Sequence, residues 1–182
     1  MMLGDDFFRR RSYNAASDLI DVNIARGLAD KVAFTDPNRS ITYGELRSRT
    51  CRFARALQTL GIRPEERIAL LLPDTVDFPV AFWGAIRAGI VAVPLNPLLT
   101  AEQCAYIISE SRASLLIATP ALARTIHPIL DRLPNLRTVV LIGAEPGDTS
   151  LRTIPGLHDF EEILARERDD VLVATTNSDE VA

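Results

Sequence analysis

The sequence predicts an α/β fold, a doubly wound, mostly parallel sheet with helices on both faces. Three observations predict it. Four short, continuous apolar runs, Arg67–Leu72, Ile90–Leu95, Ser114–Ala118 and Thr138–Ile142, read as strands buried on both sides. Each pair of runs is separated by a segment with helical periodicity, long enough for the crossover that parallel neighbours require. Caps and breakers, among them Thr100, Pro120, Gly61 and Gly89, fall where strand must give way to helix or helix to strand. Strand, helix, strand at this spacing is the signature of a sheet covered by helices.

The elements follow in order. Asn14 caps a helix over residues 15–26, which Gly27 stops. Lys31–Thr35 and Ser40–Thr42 form a hairpin around Asp36-Pro37-Asn38, a turn by composition. Thr42 and Glu45 have capping-box spacing and open a helix over Tyr43–Leu60. Leu46, Phe53, Leu57 and Leu60 lie along its apolar stripe, and Arg47, Arg49, Arg52 and Arg55 lie largely off it. The next helix reaches Ala88. Either Asp77 caps it with Pro79 in the first turn, or it is distorted there. Asp74 and Asp77 read as capping carboxylates rather than catalytic ones. Further helices cover 100–111 and 120–133, the latter interrupted near Pro128. A Gly, Pro, Ser and Thr-rich loop spans about 143–156. Leu157–Arg168 reads as a short surface helix, and Val171–Ala174 as one more short strand or a linker.

Composition narrows the function classes. The chain has 182 residues, 47% of them hydrophobic, and a formal net charge of -4, enough apolar material for one ordinary folded domain. Its Lys and Arg are scattered among acids, so no basic stripe exists to neutralise nucleic-acid phosphates. The Arg9-Arg10-Arg11 run belongs to a disordered leader over residues 1–13. The N-terminus lacks the apolar segment of a secretory signal. The apolar stretch over residues 80–99 carries Arg87 and two prolines, so it reads as buried helix then strand rather than a membrane span. Cys51 and Cys104 sit among apolar residues of predicted helices and read as core. A cytoplasmic protein with no membrane or nucleic-acid partner is expected, and a homo-oligomer is left open.

No catalytic constellation is present. There is no GxxxxGK[ST] phosphate loop, no GxGxxG and no GxSxG. Gly143 and Gly147 bracket a turn rather than a phosphate cradle. His127 and His158 lie on different elements without ligand-spaced partners, so no metal site is assigned. By residues alone this is an α/β domain without an assembled active site.

Two stretches nevertheless resemble a known family. Ile41-Thr42-Tyr43-Gly44-Glu45-Leu46 is similar to the "LTYxEL" motif of the adenylate-forming superfamily. Residues 84–97, from Gly84 through Arg87-Ala88-Gly89 to Leu95-Asn96-Pro97, resemble its "GxxKAGAxxVPLNP" motif. Asn14-Ala15-Ala16, Asp30-Lys31-Val32-Ala33-Phe34, Pro64-Glu65-Glu66-Arg67, Asp77-Phe78-Pro79-Val80-Ala81-Phe82 and Leu98-Leu99-Thr100-Ala101-Glu102 resemble the benzoate-type CoA ligases within it.

The resemblance implies that 14–182 is the N-terminal portion of the large domain of an acyl-CoA synthetase. The segment would end before the phosphate-binding loop, which in the family follows an acidic stretch like Ser178-Asp179-Glu180-Val181-Ala182. The implied reaction joins an aromatic carboxylic acid to CoA through an acyl-adenylate, using ATP and Mg²⁺. The implied catalytic and acid-pocket residues lie beyond residue 182, and the segment alone is expected to be inactive. Asn96 and Arg124 are the two residues the resemblance brings near the nucleotide end of CoA, a guanidinium at 124 suiting a phosphate. Some relatives carry an arginine just after the "NP", where this chain has Leu98. A non-catalytic binding or assembly module, a fatty-acid–CoA ligase and, more distantly, a flavodoxin-like carrier remain as alternatives.

Overall fold

The computed structural model describes residues 12–145 and 151–177. The expectations for a leader over residues 1–11, for Gly147 and for the acidic stretch over 178–182 lie outside the described residues. The Asn14 carboxamide oxygen accepts the amides of Ala16 and Ser17 and starts the first helix as expected. That helix is not regular: Ser17–Asp21 forms a π-turn that runs into α1, Val22–Ala25. Gly27, at φ +79°, ends it.

β1 (Val32–Thr35) and β2 (Ser40–Thr42) form the antiparallel hairpin. Asp36 ties its turn, accepting the amides of Asn38 and Arg39 at 2.8 and 2.9 Å. Its second oxygen reaches across to the Val76 amide at 3.0 Å. Hydrogen bonds from Val76, Asn38 and Arg39 together hold the Asp36 carboxyl below the ordinary range.

The central sheet has five parallel strands in the order β4-β3-β5-β6-β7. These are β3 (Arg67–Leu71), β4 (Val91–Pro94), β5 (Leu115–Ala118), β6 (Thr138–Leu141) and β7 (Leu157–Asp159). The strand residues divide between two cores, because successive side chains point to opposite faces. Ile68, Leu70, Ile117 and Val140 pack under α2 (Tyr43–Thr59), α3 (Asp77–Arg87) and α6 (Phe160–Ala165). Ala69, Leu71, Leu116, Val139 and Leu141 pack under α4 (Ala101–Ser111), α5 (Pro120–Ile126) and a 3₁₀ turn over His127–Arg132.

Capping sets the helix starts. Thr42 accepts from the Glu45 amide while Glu45 accepts from the Thr42 amide, the reciprocal box expected for α2. Thr100 and Gln103 repeat the arrangement at α4. Pro120 occupies the first turn of α5 behind Thr119, and Pro128 coincides with the change to 3₁₀ geometry.

Two expectations need correction. Asp74 and Asp77 do not cap α3: the helix starts after Val76 with no side-chain cap, Asp77 is its first residue, and Pro79 sits in the first turn. Asp77 is drawn instead to two guanidinium groups. Residues 157–168 are not one surface helix. Leu157–Asp159 joins the sheet beside β6, and only Phe160–Ala165 is helical, capped by Asp159. Phe160 is fully enclosed against Phe53 at a ring separation of 5.2 Å, so α6 covers the core. The loop after β6 also carries two core residues, Leu151 and Ile154.

Candidate functional site

The sheet order locates the place where a ligand would enter. From β3 the chain crosses to β4 on one side, then returns past β3 to β5 on the other. The first crossover helix, α3, lies on one face, and α4 and α5 lie on the other. The loops after β3 and β5 therefore diverge, and in doubly wound sheets such a divergence opens a crevice at the carboxyl ends of the strands. An open cleft of about 820 Å³ occupies that position. Pro73, Thr75 and Asp77 line it after β3, Thr119 and Arg124 after β5, and Gly143 and Glu145 after β6.

Its charge is mixed. Asp77 receives Arg39 and, at 3.3 Å, Arg49. Arg49 also forms a two-pronged pair with Glu161 on α6 and lies 5.8 Å above the Phe160 ring. The Arg49 hydrogen bond is the largest influence on Glu161 and holds its carboxyl below the ordinary value. Asp77 is thus tied into an ion network linking the hairpin, α2, α3 and α6.

Arg124 lines the cleft from α5. Asn96 does not. It lies on the exposed turn past β4, where its side-chain oxygen accepts the Leu98 amide at 2.9 Å. His127 stands beyond Arg124, its Nε2 3.3 Å from the Thr153 hydroxyl. Among the described residues no group of three or more His, Cys, Asp or Glu is placed to hold a metal ion. Among the described residues, Arg124 is the one cation lining the cleft, alongside the carboxylates of Asp77 and Glu145. That donor set does not fit a magnesium triphosphate, which needs several cationic or amide donors around it.

Residues 22–176 match the AMP-binding enzyme family. The chain belongs to that family. It is 44% identical over 172 residues to a 4-hydroxybenzoate–CoA/benzoate–CoA ligase of Rhodopseudomonas palustris, covering 94% of this chain and 30% of that protein. It is 36% identical to a benzoate–CoA ligase of Thauera aromatica, over 86% of this chain and 30% of that one. A crystal structure of a benzoate CoA ligase from Burkholderia xenovorans superposes with a TM-score of 0.78 at 37% identity, over 92% of this chain and 31% of its own. The chain therefore spans about 30% of the length of the curated relatives it matches.

Sequence reasoning missed one internal pair. Arg87, in the second motif, is fully enclosed and donates to both oxygens of Asp21 at 2.9 Å each. An arginine within an apolar helix end was the available signal. It named no partner, since Asp21 lies 66 residues earlier. Burial acts to raise the Asp21 pKa, but hydrogen bonds and charge from Arg87, with Ser17 and Arg47, outweigh it and hold the carboxyl below its ordinary value. A second concavity, apolar and of about 410 Å³, lies between the hairpin and α3 against Phe34, Phe78, Phe82 and Trp83. Among the described residues no helix is long and apolar enough to cross a membrane.

Proposed function

We propose that this chain is the N-terminal part of the large domain of an aromatic acid–CoA ligase. In the proposed reaction, a benzoate-like acid, ATP and CoA give the aryl-CoA, AMP and pyrophosphate by way of an acyl-adenylate. The observation that carries this reading is 44% identity, across 94% of the chain, to a ligase named for benzoate and 4-hydroxybenzoate. A carboxylate is a poor electrophile, and adenylation supplies a leaving group that the CoA thiol displaces. Such a reaction needs phosphate charge neutralised and reactants aligned.

The described residues do not supply that set, so the proposed part for this segment is architectural. It provides the sheet and one wall of a cleft. Arg124 is the candidate contact for a CoA phosphate, with Asn96 a secondary candidate on the neighbouring turn. Two buried, unpaired cysteines, Cys51 and Cys104, suit a cytoplasmic setting.

The test is hydroxamate trapping of the acyl-adenylate with benzoate, hydroxybenzoates and long-chain fatty acids as competing substrates. It is run on the full-length ligase and on the 182-residue chain. Turnover of benzoates by the former and none by the latter is expected. Preference for fatty acids would overturn the substrate class, and activity of the short chain would overturn the architectural part. Arg124→Ala is expected to raise the KM for CoA about tenfold or more, with little change in KM for the acid, as loss of one charge-assisted phosphate contact would. An unchanged KM for CoA removes Arg124 from the binding set.

A further inference from the structure

After α6 the chain runs from residue 166 to 177 without helix or strand, yet it is fastened at two places. The first is on α2. The Thr59 hydroxyl donates to Glu167 at 2.8 Å, the Ser48 hydroxyl to Asp169 at 2.9 Å, and Arg55 to Asp170 at 2.6 Å. Arg52 stands 4.0 Å from Asp169. The second is at the C-terminal end of α3. The Ala174 amide donates to the Arg87 carbonyl at 2.8 Å, and the Tyr13 amide to the Thr176 carbonyl at 2.7 Å. The Thr176 hydroxyl donates back to the Tyr13 carbonyl. The Asn14 carboxamide donates to the Ile86 carbonyl at 2.9 Å and to the Thr176 hydroxyl oxygen at 3.4 Å. Leu172, between the two fastenings, rests on the first core.

The second motif gains a physical reason here. Gly89 has φ +73°, and a Cβ on it would stand 2.9 Å from the Ala174 Cβ and 3.5 Å from the Thr176 Cγ2. The glycine leaves the space through which residues 174–176 pass.

The two fastenings differ in kind. The carboxylates of Asp169 and Asp170 are 56% and 61% exposed, and pairs that open to water are weak and screened by salt. The second fastening consists of hydrogen bonds between uncharged groups, two of them between backbone amides and carbonyls and the rest from the Thr176 hydroxyl and the Asn14 carboxamide, which screening does not reach. We propose that residues 167–176 form a flap with two independent fastenings: a salt-releasable ionic clasp on α2, and a salt-insensitive anchor at the end of α3. Release of the clasp lets the middle of the flap bow away from α2 while its exit at Asn177 stays fixed.

Amide NMR on the ¹⁵N-labelled chain tests this at about 0.1 M and about 1 M sodium chloride, between which the screening length falls from about 10 to about 3 Å. At high salt, residues 167–172 are expected to lose their heteronuclear NOE, while the Ala174 and Tyr13 amides keep their protection from exchange. The double variant Asp169→Asn, Asp170→Asn should reproduce the high-salt pattern at low salt. Gly89→Ala should do the converse, exposing the Ala174 amide and leaving 167–172 ordered. Should that variant fail to fold, Thr176→Val, which removes only the hydroxyl, is read in its place and should speed exchange at Tyr13 and Ala174. A flap as rigid at high salt as at low salt overturns the clasp. Simultaneous loss of order at 167–172 and of protection at Ala174 overturns the independence of the two fastenings.

Discussion

Arg87 and Asp21 set the largest single-residue effect expected in this molecule. Removing the carboxylate leaves an enclosed guanidinium whose Nε already has no partner among the described residues. Breaking one side of such a pair commonly destabilises by about 3–5 kcal/mol, because the remaining charge stays desolvated. Asp21→Ala is therefore expected to lose about 3 kcal/mol in urea unfolding. Asp21→Leu combined with Arg87→Met should lose much less, and equal losses would show that burial of the charge is not the cause. Gly84 offers a different kind of test. A Cβ there would lie 2.7 Å from Cδ1 of the enclosed Phe53, so Gly84→Ala should destabilise by about 1–3 kcal/mol through overpacking. Calorimetry would show the fall in melting temperature, and an unchanged value would mean that α2 and α3 can separate freely.

Elements were legible in proportion to how local their causes are. The box that opens α2 is contained in Thr42 through Glu45, so sequence alone located it. Thr42→Ala should reduce stability by about 1 kcal/mol, and Thr42→Ser should restore most of it. Equal effects of the two substitutions would separate α2 stability from the cap. The four apolar strands were equally plain, since burial on both faces writes a continuous apolar run. β7 was not. Leu157-His158-Asp159 has no apolar run, and it is a strand only because β6 offers it an open edge. Asp77 was misread for a similar reason. Its neighbours along the chain suggest a cap, whereas its charge partners Arg39 and Arg49 arrive from the hairpin and α2. Of the cleft, the resemblance brought forward Arg124. Its other walls come from three separate loops that only the strand order brings together.

At the scale of the whole molecule, several carboxyls share one direction of shift. Asp21, Asp36, Glu45, Glu161 and Asp169 are all held below their ordinary values. A depressed carboxylate contributes stability that is fully present above its unfolded value, near pH 4, and that drains away as pH falls toward the folded value. The urea midpoint should be flat from about pH 7 to 5 and should fall below about pH 4. A midpoint that held or rose toward pH 3 would mean that these ion pairs do not stabilise the fold. The two cores on opposite faces of the sheet add a spectroscopic consequence. The chain has a single tryptophan, Trp83, which packs with the first core and meets the Phe82 ring edge-on at 5.1 Å. Its intrinsic emission therefore samples the α2 and α3 side of the sheet and is silent about α4 and α5. Were the far layer to melt early, a fluorimeter would record an intact protein while circular dichroism registered the loss of helix.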